Sequence, residues 1–533
     1  MKPSQLLDGA SAEVLAFGWL DAAVAPVSPY GERLFSELAP FRPGEENAAQ
    51  SRARRIGRVA AAFDASAVQA MRSELASLPD ATGAIVRATM GEALSDPALF
   101  ELRSFCGTIG RIECLRGSEP ALDPLWNDAV RAIGDALATG QRNEREFYLA
   151  DAFDGELAAA RARAAAAQAE LDALRGRESV RIAGELGREE LGGDEFIVMR
   201  ADVRGGLPQG VRVVREAPTY LLCALEPDAD VVAALERRDA AADAVAAAEE
   251  RVRAALSSLV RERATGLLAA AQALGELDVL VAAAAFAQRF SCAPPVVTGE
   301  AALEFEGARF LPLESELSGV GRRFTPLDLD LHDAAVLTGP NMGGKSVCLL
   351  TCGFVATCTA FGLPVPAARA RVGLFDRIGW LGMGREAHIG GLLSSFAQEV
   401  LALKDVLALD APRLLLLVDE FARTTTPHEA KALSVALLAR LAERRACALL
   451  ATHLEGLAAA SGVRHFTVRG LRGIPAPPPA EDVGEALELL SQSMDYRVVE
   501  VGAEDTARAD AIALAALLGL DRAFVEAAYR ALS

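Results

Sequence analysis

Short, continuously apolar runs and long stretches of helical periodicity divide this chain between them. Three runs stand out in the C-terminal half: Ala334–Leu337, Leu414–Val418 and Ala446–Ala451. Leu414–Val418 has the length and uninterrupted apolar character of a strand buried on both faces, and the other two runs also read as strands. Val347–Ala360, directly after the first run, is compatible with a helix. Residues 1 to about 142 read as short helices separated by turn-rich stretches. Within them, Leu99, Leu102 and Phe105 in Asp96–Glu113 recur at helical spacing.

A long Ala-rich helix is expected from Asn143 to about Leu174, and a second from Val231 to Phe290 with a break at Gly266 or Gly275. Val245, Val252, Leu256 and Leu259 recur at heptad spacing, which calls for a partner helix along one stripe. Continuous helix over such a span would be about 90 Å long, the dimension of an arm rather than of a compact core. Between the helices, Ser179–Asp228 changes character. Glu195–Val203, GVRVVRE and TYLLCALE are strand-type runs bounded by Gly and Pro. Three regions follow: 1–142, helical; 143–290, two lever helices carrying a β-rich tip at about 179–228; and 291–533, α/β.

The chain has 533 residues, too many for one core. Hydrophobic residues make up 51% and charged residues 24%, a globular composition. No uninterrupted apolar run reaches the roughly 20 residues of a membrane span, and MKPSQLLDG lacks a basic segment leading into an apolar one, so a cytoplasmic protein without a membrane partner is expected. The eight cysteines form no C-x-x-C pair, which disfavours a metal site built on them. A net charge of −19 disfavours phosphate polymers over the whole surface but leaves room for a local basic groove. Arg52, Arg54, Arg55 and Arg58 form the densest basic cluster, yet on a helix these positions fall on more than one face, as on a solvated surface.

The candidate chemistry begins where Ala334–Leu337 ends. Thr338–Val347 reads TGPNMGGKSV, so that Gly339, then four residues, then Gly344, Lys345 and Ser346 fit the phosphate-binding pattern G-x-x-x-x-G-K-[ST] between a strand and a helix. Backbone N–H groups can curl round a phosphate only where side chains are absent, and the helix adds its positive dipole end. Gly339, Pro340, Asn341, Met342, Gly343, Gly344, Lys345, Ser346 and Val347 are thus the candidate nucleotide-binding residues. Leu414–Val418 leads into Asp419 and Glu420. Two carboxylates at a strand's end are costly unless they meet a cation, and in a P-loop NTPase the first holds Mg²⁺ and the second activates water. Ser346 and Asp419 are therefore the candidate metal ligands and Glu420 the candidate base. His453, just after the third strand, is placed to reach a γ phosphate.

With these residues in place, the chain resembles the ATPase domain of the MutS family. TGPNMGGKS matches its phosphate loop, Leu417–Ala430 its acidic strand and the loop beyond, ATH at Ala451–His453 its histidine loop, and Gly390–Leu407 its serine-rich segment. The resemblance implies an ABC-type P-loop ATPase that uses ATP and Mg²⁺ as a homodimer. It also implies that Ser394 or Ser395 of one subunit completes the other's site. Ala273–Ala287 is similar to the returning lever helix of that family, the β-rich tip occupies the place of its DNA clamp, and Met494–Leu532 resembles its dimer-pairing end.

The departures define the alternatives. Where the family has D-E-x-G-R-G-T-S-T-x-D-G, this chain has Asp419 to Ala430 with both loop glycines replaced and Pro427 added, so a stiffer loop is expected. Phe147-Tyr148-Leu149 is the nearest string to the family's Phe-x-Glu mismatch wedge and lacks the glutamate. In domain content, the RTTTPHEA loop and the short clamp, the chain resembles the ATPase subunit of lysine 5,6-aminomutase reactivases. That implies a protein client, a cobalamin-dependent aminomutase. The competing reading is a DNA-binding MutS-family protein of repair or recombination.

Overall fold

The computed structural model describes residues 1–143, 146–203, 205–340, 344–382, 395–408, 411–471, 494–502, 512, 515–516 and 520–532. The chain is a mixed helical and α/β protein that forms two compact units. One comprises residues 1–77, 112–124 and 272–533; the other comprises residues 78–111 and 125–271.

In chain order, α1 (Gly9–Val14), α2 (Phe17–Ala23), α3 (Pro29–Glu37), α4 (Glu46–Ala62) and α5 (Ala65–Ala76) open the first unit. Most begin at short polar residues whose side chains accept from the first free backbone N–H groups, as Asp8, Ser28 and Asp64 do. Then come α6 (Thr82–Thr89), α7 (Asp96–Arg116), α8 (Asp128–Ala138) and α9 (Gly155–Glu185). Leu99, Leu102 and Phe105 are fully buried, as their spacing requires.

The second unit is built on α9 and the first part of α10 (Ala229–Arg289), which run antiparallel. Arg161 pairs with Glu249, Arg237 with Glu170 and Arg251 with Glu156, while Leu171 packs on Val231 and Ala234. At their far end β1 (Glu195–Met199), β2 (Val211–Glu216) and β3 (Tyr220–Leu225) form an antiparallel sheet in the order β1-β3-β2. Its inner face buries Phe196, Val198, Leu221 and Cys223 against Ile182 of α9.

Two expectations need correction here. The first lever helix starts at Gly155, not Asn143, because Asp154 caps it by accepting from Glu156 N. The second runs unbroken through Gly266 and Gly275. A Cβ at Gly266 would lie 2.5 Å from Ala129 Cβ, and one at Gly275 would lie 2.9 Å from Tyr30 O. Both glycines thus permit close packing rather than a bend. Part of α10 is apolar and long enough to span a bilayer, which the search for uninterrupted apolar runs misses. That stretch is 72% buried within the protein, as a core helix would be.

The first unit resumes with β4 (Val296–Thr298), β5 (Leu303–Ala308), α11 (Leu311–Gly319), β6 (Leu327–Leu331), β7 (Ala334–Thr338), α12 (Lys345–Ala360), β8 (Arg369–Gly373) and β9 (Arg377–Leu381). It continues through α13 (Ser395–Ala408), β10 (Leu414–Asp419), α14 (Pro427–Glu443), β11 (Cys447–Ala451), α15 (Leu457–Ser461), β12 (Arg464–Leu471), β13 (Met494–Val501) and α16 (Arg522–Leu532). Six strands form the main sheet in the order β13-β12-β7-β11-β10-β9. All neighbours are parallel except the β12–β13 pair. The apolar runs are its centre: every residue of β7 and β11 is buried. Parallel order puts the C-terminal ends of β7, β10 and β11 along one edge, where an open α/β sheet presents its site.

Candidate active site

Three loops leave that edge and converge. The first joins β7 to α12. Gly339 has φ 147° and Gly344 has φ 90°, in the region that favours glycine. Space imposes the same choice, because a Cβ at Gly344 would lie 3.2 Å from the Tyr496 ring. Lys345 opens α12 with its side chain buried. Its Nζ donates to Gly339 O at 3.0 Å and to Pro340 O at 3.1 Å. Burial pushes the Lys345 ammonium below its ordinary value, while the charges of Glu420 and Asp419 pull the other way. Pro340 flanks the lysine's loop contacts and Val347 follows in the first turn of α12; Asn341, Met342 and Gly343 lie outside the described residues.

The second loop follows β10. Ser346 Oγ donates to Asp419 Oδ2 at 2.7 Å, joining the phosphate loop to the acidic strand. Asp419 Oδ1 is buried with no hydrogen-bond partner among the described residues. Burial is also the main cause that raises the Asp419 carboxyl above its ordinary value, with the Ser346 hydrogen bond opposing it and the Glu420 charge adding to it. A buried, under-satisfied carboxylate oxygen beside a hydroxyl is the donor set a hard divalent cation takes, so Ser346 and Asp419 fit Mg²⁺. A close contact fixes the aspartate's position. At Gly382, just past β9 with φ 151°, a Cβ would lie 2.8 Å from both Asp419 Cβ and Asp419 O.

Glu420 is held in a left-handed conformation, φ 51°, with its N–H on Ala451 O at 3.0 Å. Its carboxylate reaches Arg423 at 3.4 Å, and on the other side His453 Nδ1 at 3.9 Å. The third loop thus brings the exposed His453 to the same place, after Thr452 N–H has tied it to Leu337 O at 2.9 Å. The structure gathers Lys345, Ser346, Asp419, Glu420 and His453 from three strand ends. Ser394 lies outside the described residues, and Ser395 opens α13.

The loop beyond Glu420 is built otherwise than its composition suggests. Pro427 is the first residue of α14, where a missing N–H is harmless. Thr426 caps that helix, and Thr425 and Thr426 hydroxyls both donate to Glu429 Oε2, at 2.8 and 2.7 Å. Ala422, at the first position where the resembling pattern has glycine, keeps φ 58° and is buried. Its N–H donates to Glu399 Oε2 of α13 at 2.8 Å. Four contributors escaped the sequence reading: Gly382, Glu399, Arg423 and Tyr496. Only Gly382, a glycine closing an apolar strand, left a signal there. A buried pair lies behind the loop, His465 Nε2 2.8 Å from Thr338 Oγ1.

Residues 335–470 match the model of MutS domain V, a span from β7 to β12 that contains every strand end just described. Over this span the chain is similar to the MutS family. An endonuclease MutS2 of Pelotomaculum thermopropionicum is 32% identical over 208 residues, 38% of this chain and 26% of that protein. A DNA mismatch repair protein MutS of Granulibacter bethesdensis is 34% identical over 223 residues, 40% of this chain and 24% of that protein. The longest of the three likenesses is to an endonuclease MutS2 of Anaeromyxobacter sp., 28% identical over 454 residues, 79% of this chain and 53% of that protein. The chain therefore spans between about a quarter and about half the length of these relatives. The expected likeness to an aminomutase reactivase finds no support in them.

Proposed function

We propose that this chain binds and hydrolyses ATP with Mg²⁺ and uses the cycle to act on DNA. The observation that carries the reading is the Ser346–Asp419 pair with its orphaned Asp419 Oδ1, set beside Lys345 at the start of α12. In this reading Gly339–Val347 cradle the phosphates, and Lys345 exchanges its two carbonyl contacts for phosphate oxygens. Ser346 and Asp419 hold Mg²⁺, whose bound charge would offset that of the phosphates. Glu420 takes a proton from the attacking water, and His453, next to it, contacts the γ phosphate. The active form proposed is a cytoplasmic homodimer in which Ser394 or Ser395 completes the partner's site.

The relatives named as a DNA mismatch repair protein and as endonucleases favour DNA over a protein client. The chief sequence sign of a reactivase, RTTTPHEA, also has a local explanation as the cap of α14. On the tip, Arg181 is taken up by Glu178 and Glu185, and Arg200 by Glu216, while Arg188, Arg212 and Arg215 have no ion pair among the described residues. The test is the ATPase rate with and without duplex and branched DNA. A rise with either supports a DNA client. An unchanged rate at saturating DNA, with a cobalamin-dependent aminomutase raising it instead, overturns DNA as the client.

A further inference from the structure

The basic cluster on α4 separates into three roles. Arg52 packs against Gly362, where a Cβ would lie 2.9 Å from Arg52 Cδ. Arg55 donates to Ala121 O at 2.9 Å and pairs with Asp123 at 2.6 Å. Arg54 and Arg58 do neither. They are exposed, one helical turn apart on the same face, and have no hydrogen bond or ion pair among the described residues. Both line a cavity of about 640 Å³ between α4 and Pro294.

The rest of that lining is suited to an anion. Asn47, Gln50 and Ser51 supply neutral polar groups, and no carboxylate is among the lining residues, in a chain whose net charge is −19. Gln50 is fixed at both ends of its amide, donating to Pro295 O and accepting from Val297 N, each at 2.8 Å. The floor is fixed too, because Gly57 lets α4 approach so closely that a Cβ there would lie 2.5 Å from Pro294 Cγ. Two unpaired guanidinium groups over a rigid, acid-free cavity of small-ligand volume match the charge and fork geometry of phosphate.

We propose that this cavity is a second phosphate-binding site, separate from the loop at Lys345, in which Arg54 and Arg58 together clamp a phosphate group. A free polyphosphate and a nucleic-acid backbone offer that same chemistry. The site stands independently of the ATPase reading, since none of its residues belongs to the loops around Asp419.

The test uses the full chain with two probes, inorganic pyrophosphate and a short random-sequence DNA duplex. Arg54→Gln with Arg58→Gln should weaken pyrophosphate binding by about tenfold or more, the loss of charge-assisted hydrogen bonds. Ser51→Glu, which puts a negative charge in the lining, should do the same, and Arg54→Lys with Arg58→Lys should restore part of the affinity. Lys345→Ala should leave this binding in place. If the duplex also weakens, with its salt slope falling by about 0.9 per lost phosphate contact, the site takes a nucleic-acid backbone. If only pyrophosphate weakens, it takes a small phosphate ligand. Unchanged binding of both probes in the glutamine variant, or loss of pyrophosphate binding on Lys345→Ala alone, overturns the proposal.

Discussion

Ser346 Oγ and Asp419 Oδ2 lie 2.7 Å apart although 73 positions separate them in the chain. The contact forms because β7 and β10 end at the same sheet edge on either side of β11. It leaves Asp419 Oδ1 buried without a partner among the described residues, a cost that a bound cation would remove.

Asp419→Asn tests that cost. The folded carboxyl is raised above its unfolded value by burial, so its ionisation favours the unfolded state once pH exceeds the unfolded value. In nucleotide-free, metal-free protein, Asp419→Asn should therefore gain stability relative to wild type as pH rises from below about 4 towards neutrality. Mg²⁺ with ADP should raise the melting temperature of wild type and not that of the variant. Thermal melts at several pH values check both, and a variant that loses stability as pH rises would contradict the account.

Gly382→Ala should damage the same site from the outside. Its φ of 151° is unfavourable for alanine, and the added Cβ would press on Asp419 Cβ and O, each 2.8 Å away. A loss of about 1–3 kcal/mol in denaturant unfolding is expected, together with weaker Mg²⁺ dependence of nucleotide binding.

Ala422→Gly should act in the opposite sense. Alanine held at φ 58° costs about 1 kcal/mol that glycine would not. The variant should be equally or more stable, and the Ala422 N–H to Glu399 bond should persist. Chemical denaturation compared with wild type measures it, and a loss above about 1 kcal/mol would show that the alanine methyl packs better than the strain costs.

Asp278→Ala addresses the helical part of the first unit. This fully buried carboxylate of α10 accepts from Ser28 N at 2.6 Å and Val27 N at 3.0 Å, anchoring the start of α3. Removing it leaves the buried Ser28 N–H and the part-buried Val27 N–H without this acceptor, so a loss of about 2–4 kcal/mol is expected in urea unfolding.

The strand ends of the candidate site were legible because each carries two signals at once: a continuous apolar run, and a polar residue that no buried strand would hold without a use. Asp419, Glu420 and His453 follow from their places after apolar runs, whereas Lys345 and Ser346 need the spacing G-x-x-x-x-G-K-[ST] as well. Helix limits were less legible. Residues 143–154 hold no proline or glycine to separate them from the Ala-rich run that follows, and the Asp154 cap is what sets the helix start. Gly266 and Gly275 read as breaks because composition cannot show a neighbour at 2.5 or 2.9 Å. The supports of the site, Gly382 at Asp419 and Glu399 at Ala422, come from elements distant in sequence; Gly382 is marked only as a glycine closing an apolar strand, and nothing local marks Glu399. Composition likewise gave α4 four equivalent arginines where contacts give them three roles.

The most direct measurement is ATP turnover and binding compared in wild type, Lys345→Ala and Glu420→Gln. The account predicts Mg²⁺-dependent hydrolysis in wild type and loss of nucleotide binding in Lys345→Ala. Glu420→Gln should bind ATP with near-normal affinity and hydrolyse it at least about a hundredfold more slowly, the contribution of a general base. Hydrolysis by Glu420→Gln at the wild-type rate, or nucleotide binding untouched in Lys345→Ala, would contradict it.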